Sequence, residues 1–208
     1  MNRKISVFLI IIGTLTYLIQ LHTAATINLQ ENVAKNIIRF HVIANSDSKE
    51  DQYLKYEVKN ALIKALYPNF KNINSVEEAR SIIKSSIPLI EDVASQVIKS
   101  HGYSYPVTAS LTTNYFPMKV YGDYAFPPGK YEALQVRIGN AQGQNWWCVM
   151  FPPLCFVDET YSIVSEDSEK KLEYLLTDDE LDFIQTKKIP VKIRFKLLDI
   201  LKSIISDK

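Results

Sequence analysis

The chain has 208 residues, 47% of them hydrophobic and 23% charged, with a formal net charge of +1. That length favours one main domain, with enough apolar residues to build a core without staples. The near-neutral balance, without a long like-charge run, argues against nucleic-acid binding, which leaves a basic patch or stripe. Two cysteines and three scattered histidines show no metal-site spacing, and no residue set implies a cofactor.

The N-terminus carries a targeting signal. Arg3 and Lys4 precede Ile5 to Leu21, seventeen residues without a charge, and the small residues Thr23, Ala24 and Ala25 follow. A positive start, an apolar run and small residues make an export signal. The length suits a signal peptide cut after Ala25 and equally an uncleaved anchor. In both cases the positive-inside rule sends the C-terminal body out of the cytoplasm. Residues 1–25 are therefore read as signal peptide or membrane anchor, 26–164 as the main domain, and 165–208 as an extension packed on it. Without Arg3 and Lys4 the exported part holds 22 basic and 23 acidic residues.

Ile37 to Ala44 alternates and is rich in β-branched and aromatic residues, so it reads as a strand with Ile38, Phe40 and Val42 on one face. Asp47 with Glu50 fits a helix N-cap, opening a helix that runs to about Tyr67 and stops at Pro68. Its apolar stripe is Leu54, Val58, Ala61, Leu62 and Ala65. Ser75 with Glu78 starts a second helix reaching Ser86. Pro88 suits the first turn of a third, striped by Ile90, Val93, Ala94, Val97 and Ile98 and capped by Gly102.

Composition changes at residue 101. The window 101–161 holds six of the nine prolines, five of the six glycines and seven of the twelve tyrosines. Val107 to Thr113 and Tyr131 to Ile138 alternate as strands, joined by a long connection full of turn formers. Trp146 to Phe151 reads as a further strand, or a short buried segment, stopped by Pro152 and Pro153. Beyond Asp158 the chain turns polar. Thr177 with Glu180 marks another cap, Val191, Ile193 and Phe195 alternate, and Leu197 to Ile205 reads as a closing helix. Helices come early and strands later. The expected fold is α+β: early helices packed on a small, mainly antiparallel sheet, in a single domain after the hydrophobic segment.

Candidate chemistry centres on Gly143 to Val157, which holds both tryptophans and both cysteines. Cys148 as a thiolate nucleophile needs a histidine base and an orienting group. No histidine follows it, and His22, His41 and His101 lie in the apolar segment, a strand and a helix end. Cys148 and Cys155 form either a disulfide, which export permits, or two buried free thiols. On a strand Trp146 and Trp147 face opposite ways, so either one enters the core while the other stays near the surface, or both rings fill the core. The stretch Ala44 to Ser48 ends a strand before a helix, a place that binds anions but more often simply caps. Asp178, Asp179 and Asp182 read as a solvated helix start.

Three stretches carry a family resemblance: "IRFHVIANSDSKEDQYLKYEVKNAL" at 38–62, "FPMKVYGDYAFPPGKYEALQVRIG" at 116–139 and "GQNWWCVMFPPLCFVD" at 143–158. Together they resemble stage II sporulation protein R of endospore-forming Firmicutes. The resemblance fades in residues 165–208. It implies a signalling protein rather than an enzyme, made in the forespore and exported into the space between the two membranes. There it triggers a membrane-embedded aspartic protease of the mother cell, which processes the sigma-E precursor. The family supplies no catalytic residues to carry over. The expected partner-binding face is Asn145, Trp146, Trp147 and Phe151, with membrane contact through residues 5–21 if these are uncleaved. The alternative reading is a cell-envelope cysteine hydrolase using Cys148.

Overall fold

Helix α1 runs without a break from Arg3 to Lys35, through residue 25 and the apolar segment, in a computed structural model that describes residues 3–70, 72–156 and 164–186. It is long and apolar enough to cross a membrane. Then come β1 (Ile38–Ile43), α2 (Lys49–Phe70) and α3 (Val76–Ser100). Strands β2 (Val107–Phe116), β3 (Lys119–Tyr121), β4 (Tyr124–Phe126), β5 (Gly129–Ile138) and β6 (Asn145–Phe151) follow, and α4 (Glu166–Leu175) and α5 (Asp178–Ile184) close the described chain.

The fold is α+β, as the element order implies. The main sheet has the order β2-β5-β1-β6. Two of its three pairings are antiparallel; β1 runs parallel to β5, which makes the sheet mixed. A parallel pair needs a long crossover, and α2, α3 and β2 supply it. The stretch read as a long connection between β2 and β5 folds as the β3–β4 hairpin.

Helices α2 and α3 cover one face. Leu54, Val58, Leu62, Ile83, Ile90 and Ala94 are buried there, as the helical spacing requires. The first cap is Ser48 and not Asp47: the Asp51 N–H donates to Ser48 Oγ at 3.1 Å. Asp47 is instead held by the loop opposite, accepting from the Gln144 N–H at 2.7 Å. Pro68 does not end α2, because burying Phe70 keeps the last turn helical. Likewise α3 is one helix with Pro88 inside it. The proline removes one backbone bond, but Ile83, Ser86, Ile90 and Ala94 stay on one buried stripe across it. Thr177 and Glu180 form the expected capping box of α5. The alternating stretch at Val191 to Phe195 and the helix at Leu197 to Ile205 lie outside the described residues.

Candidate functional site

Strand β1 is buried along its whole length, so both of its faces are interior. Its two-residue period sends Ile38, Phe40 and Val42 toward α2 and α3, and Arg39, His41 and Ile43 to the opposite side. Register carries the split into β6. Phe40 pairs with Cys148 and Val42 with Trp146, while His41 pairs with Trp147.

On the helix side, Trp146 packs edge-on against Phe40, with 5.5 Å between ring centroids. The Lys59 ammonium lies 5.2 Å above the Trp146 ring. Lys55, also buried, donates to Gln52 Oε1 at 2.6 Å and to the Gln144 carbonyl at 3.1 Å. Burial holds its ammonium below the usual lysine range.

The other side is an aromatic box around Arg39 and His41. His41 stacks on Trp147 and meets the edge of Phe116. Arg39 is fully buried, with its guanidinium 4.6 Å from the Phe116 centroid and 5.1 Å from that of Tyr131. Its Nε donates to the Cys148 carbonyl at 3.0 Å. Nη1 and Nη2 have no hydrogen-bond partner, nor has either His41 ring nitrogen, among the described residues. Aromatic faces attract a cation without hydrogen bonds, which offsets part of the desolvation cost. Burial lowers the His41 pKa to about 4, helped by the Arg137 and Arg39 charges. Burial also pushes the Tyr121 phenol up to about 12, although the Arg39 charge opposes it.

One end of the site is a clasp between two loops. Asp51 accepts from Ser46 Oγ at 2.5 Å and Asn45 Nδ2 at 2.7 Å. Burial would raise the Asp51 pKa, but these donors outweigh it and hold the carboxylate low. Asn45 Oδ1 accepts from the Asn140 N–H at 2.9 Å, and the Gly143 N–H donates to the Ala44 carbonyl at 3.0 Å. The stretch Ala44 to Ser48 therefore works as a cap and a clasp, with its polar groups consumed internally.

Cys148 and Cys155 are joined as a disulfide, with Cα atoms 5.8 Å apart. Pro152 and Pro153 turn the chain so that Cys155 comes back under β6. Cys148 is fully buried on the helix side of the sheet, and His41 projects from the other. The sheet itself stands between the thiol position and that imidazole. His101 sits at the end of α3 beside Tyr53, and His22 in the exposed part of α1. The residues a cysteine hydrolase would need are not brought together.

The expected contact face is divided. Asn145 and Trp147 are half-buried on the aromatic-box side. Trp146 is 8% exposed and turned to the helices, and Phe151 is fully buried. Alternation explains the tryptophans. A bulge explains Phe151: between Arg39, opposite Val149, and Ile38, opposite Phe151, β6 carries one extra residue, Met150. Arg39, Phe116 and Tyr131 were not singled out by sequence reasoning. The available signal was an arginine inside an otherwise apolar strand.

The family model described as stage II sporulation protein R matches residues 34–161. Stage II sporulation protein R of Bacillus subtilis (strain 168) is 36% identical over 185 residues, covering 88% of this chain and 83% of that protein. No solved structure matches. The matched span takes in the clasp, the aromatic box and the disulfide, and on these grounds the chain belongs to the stage II sporulation protein R family.

Proposed function

We propose that this chain is an exported sporulation signal that activates a membrane-embedded aspartic protease of the mother cell, leading to processing of the sigma-E precursor. It is made in the forespore and acts in the space between the two membranes, where it has no enzymatic role of its own. The single observation that carries this reading is family membership across the β-rich body of the domain. The geometry supports it, because Cys148 is bonded to Cys155 and screened from His41.

An activator of this kind works by binding. It shifts its target only through a difference in affinity between the target's inactive and active states. The contact proposed here uses Asn145 and Trp147, the two members of the original set that keep solvent-facing surface. Trp146 and Phe151 support that surface from the interior.

The test is reconstitution of the chain with the protease and its precursor substrate in membranes. Processing should depend on the chain's presence. Trp147→Phe keeps a ring on His41 but removes contact area. As a hot-spot change it should raise the concentration for half-maximal activation by about tenfold or more. A folded chain that leaves processing at its background rate rejects the function; unchanged activation by Trp147→Phe and Asn145→Ala moves the contact elsewhere.

A further inference from the structure

Helix α1 does not stop at the surface of the domain. Residues 8–28 are exposed on every side, and packing begins at Leu29. Gln30 lies against Gly129, and Val33 is buried. Glu31, Ala34 and Lys35 share a pocket with Thr113, Lys130 and Glu132. Gln30 meets the start of β5 at Gly129, whereas Ile38, three residues beyond the end of α1, pairs with Glu132 further along that strand. The helix therefore leaves past the end of the sheet where β5 begins and β2 ends, with Phe116 opposite Gly129.

Apolar side chains are exposed at that same end. Tyr115 is 64%, Met118 61% and Val120 52% exposed. Outside α1, the large hydrophobics other than tyrosine that are exposed among the described residues are Leu89, Met118 and Val120. Two of these three fall within three residues of each other, beside the point where α1 departs, and Lys119 lies between them.

Length sets the depth of this rim. No Asp, Glu, Lys or Arg lies between Ile5 and Gln30. A hydrocarbon core of about 30 Å takes about 20 helical residues. Counted from Ile5, directly after Lys4, the helix emerges near Ala24. At ~1.5 Å per residue, Leu29 then stands only about 8 Å higher, at the level of the headgroups. The helix has no proline, and its one glycine is Gly13, so nothing between Ala24 and Leu29 invites a hinge.

We propose that the β2–β3 rim, Tyr115 to Val120, rests in the headgroup layer of the membrane that α1 spans, with Met118 and Val120 inserted and Tyr115 and Lys119 at the polar level. The inference rests on α1 staying attached, and it adds a second contact that fixes the orientation of the domain. Aromatic and lysine side chains suit that depth, one end apolar and the other wet. The exported part is nearly neutral, so the contact is apolar and holds on zwitterionic lipid.

The experiment uses the full chain in phosphatidylcholine nanodiscs carrying a lipid-borne quencher. One cysteine is added per variant and labelled with an environment-sensitive fluorophore; Cys148 and Cys155, being joined, do not react. The variants are Leu15→Cys in α1, Met118→Cys in the rim and Ser104→Cys in the exposed loop at the opposite end of the sheet. Strong quenching is expected at positions 15 and 118, several-fold above that at 104. Adding Val120→Asp to the Met118→Cys chain should cut the quenching at 118 and leave position 15 unchanged. Quenching at 118 no greater than at 104, with 15 quenched, overturns the docking alone. A water-exposed probe at 15 overturns the anchorage and the docking with it.

Discussion

His41 lies flat on Trp147: the ring centroids are 5.0 Å apart and the planes differ by 8°. The stack holds a neutral imidazole in a box that also contains the Arg39 charge, and both nitrogens are without hydrogen bonds among the described residues. Burial lowers its pKa from 6.5 to about 4. The unfolded chain therefore binds a proton that the folded chain refuses. Stability should be at its plateau above about pH 6.5 and fall as pH drops toward 4, by up to ~3 kcal/mol. Asp51, which is also held low, contributes its loss only below the ordinary carboxylate range, so the two windows separate. Urea unfolding at pH 7 and pH 4.5 measures the slope, and His41→Phe should flatten it. An equal slope in that variant means another group titrates.

Arg39 gives a second prediction. Its guanidinium is fully buried and makes one hydrogen bond through Nε. A buried charge is often replaceable by an apolar side chain of similar volume at little cost, whereas truncation leaves a cavity. Arg39→Met should therefore remain within about 1 kcal/mol of the parent or exceed it. Arg39→Ala should lose about 3 kcal/mol or more, the range for emptying a large core site. Denaturant midpoints compare the two. A methionine variant as unstable as the alanine one would show that the cation itself, and not its volume, holds the box together.

Much of this architecture was legible in the sequence because it rests on short periods. The alternation of β1, the stripes of α2 and α3 and the Thr177–Glu180 box are local patterns, and each appears where the residues place it. What stayed hidden depends on partners far away in the chain. Asp47 and Ser48 are both good caps, and the choice between them is made by Gln144, which occupies Asp47. Pro68 looks like a helix end and Pro88 like a helix start until Phe70 is seen to be buried beyond the one, and Ile83 and Ile90 on one stripe across the other. The parallel pairing of β1 with β5 has no local signature. At the candidate site, alternation separated Trp146 from Trp147, but the bulge at Met150 that buries Phe151 could not be read from spacing. Arg39 was passed over because its aromatic partners come from β2, β4 and β5.

The loop clasp predicts a contrast between two glycines. A Cβ on Gly143 would run into the Ser46 carbonyl, a backbone atom that cannot swing aside. Gly102 has φ +82° but open space around it. Gly102→Ala should cost about 1 kcal/mol, the penalty of a left-handed conformation. Gly143→Ala should cost about 2–3 kcal/mol, the range for overpacking. It should also expose the Gln144 and Asn140 amides, seen as faster hydrogen exchange. Equal costs, with exchange unchanged in the loop, would show that the clasp yields easily.

The disulfide supplies the last prediction and bears on function. Cys148 and Cys155 are seven residues apart, so the ring they close is short. The chain-entropy relation gives about 2.5 kcal/mol for a loop of this size. Reducing the purified chain should lower its unfolding free energy by that amount, read from denaturant curves, and Cys148→Ala/Cys155→Ala should start from the lowered value and no longer respond to reductant. The same variant separates binding from thiol chemistry in the reconstituted processing assay. Once its folded fraction is matched to the parent's, an activator should retain its full effect without either sulfur. Loss of activation in a folded, disulfide-free variant, restored by Cys148 alone and abolished again by alkylation, would assign chemistry to a thiol that the sheet separates from His41.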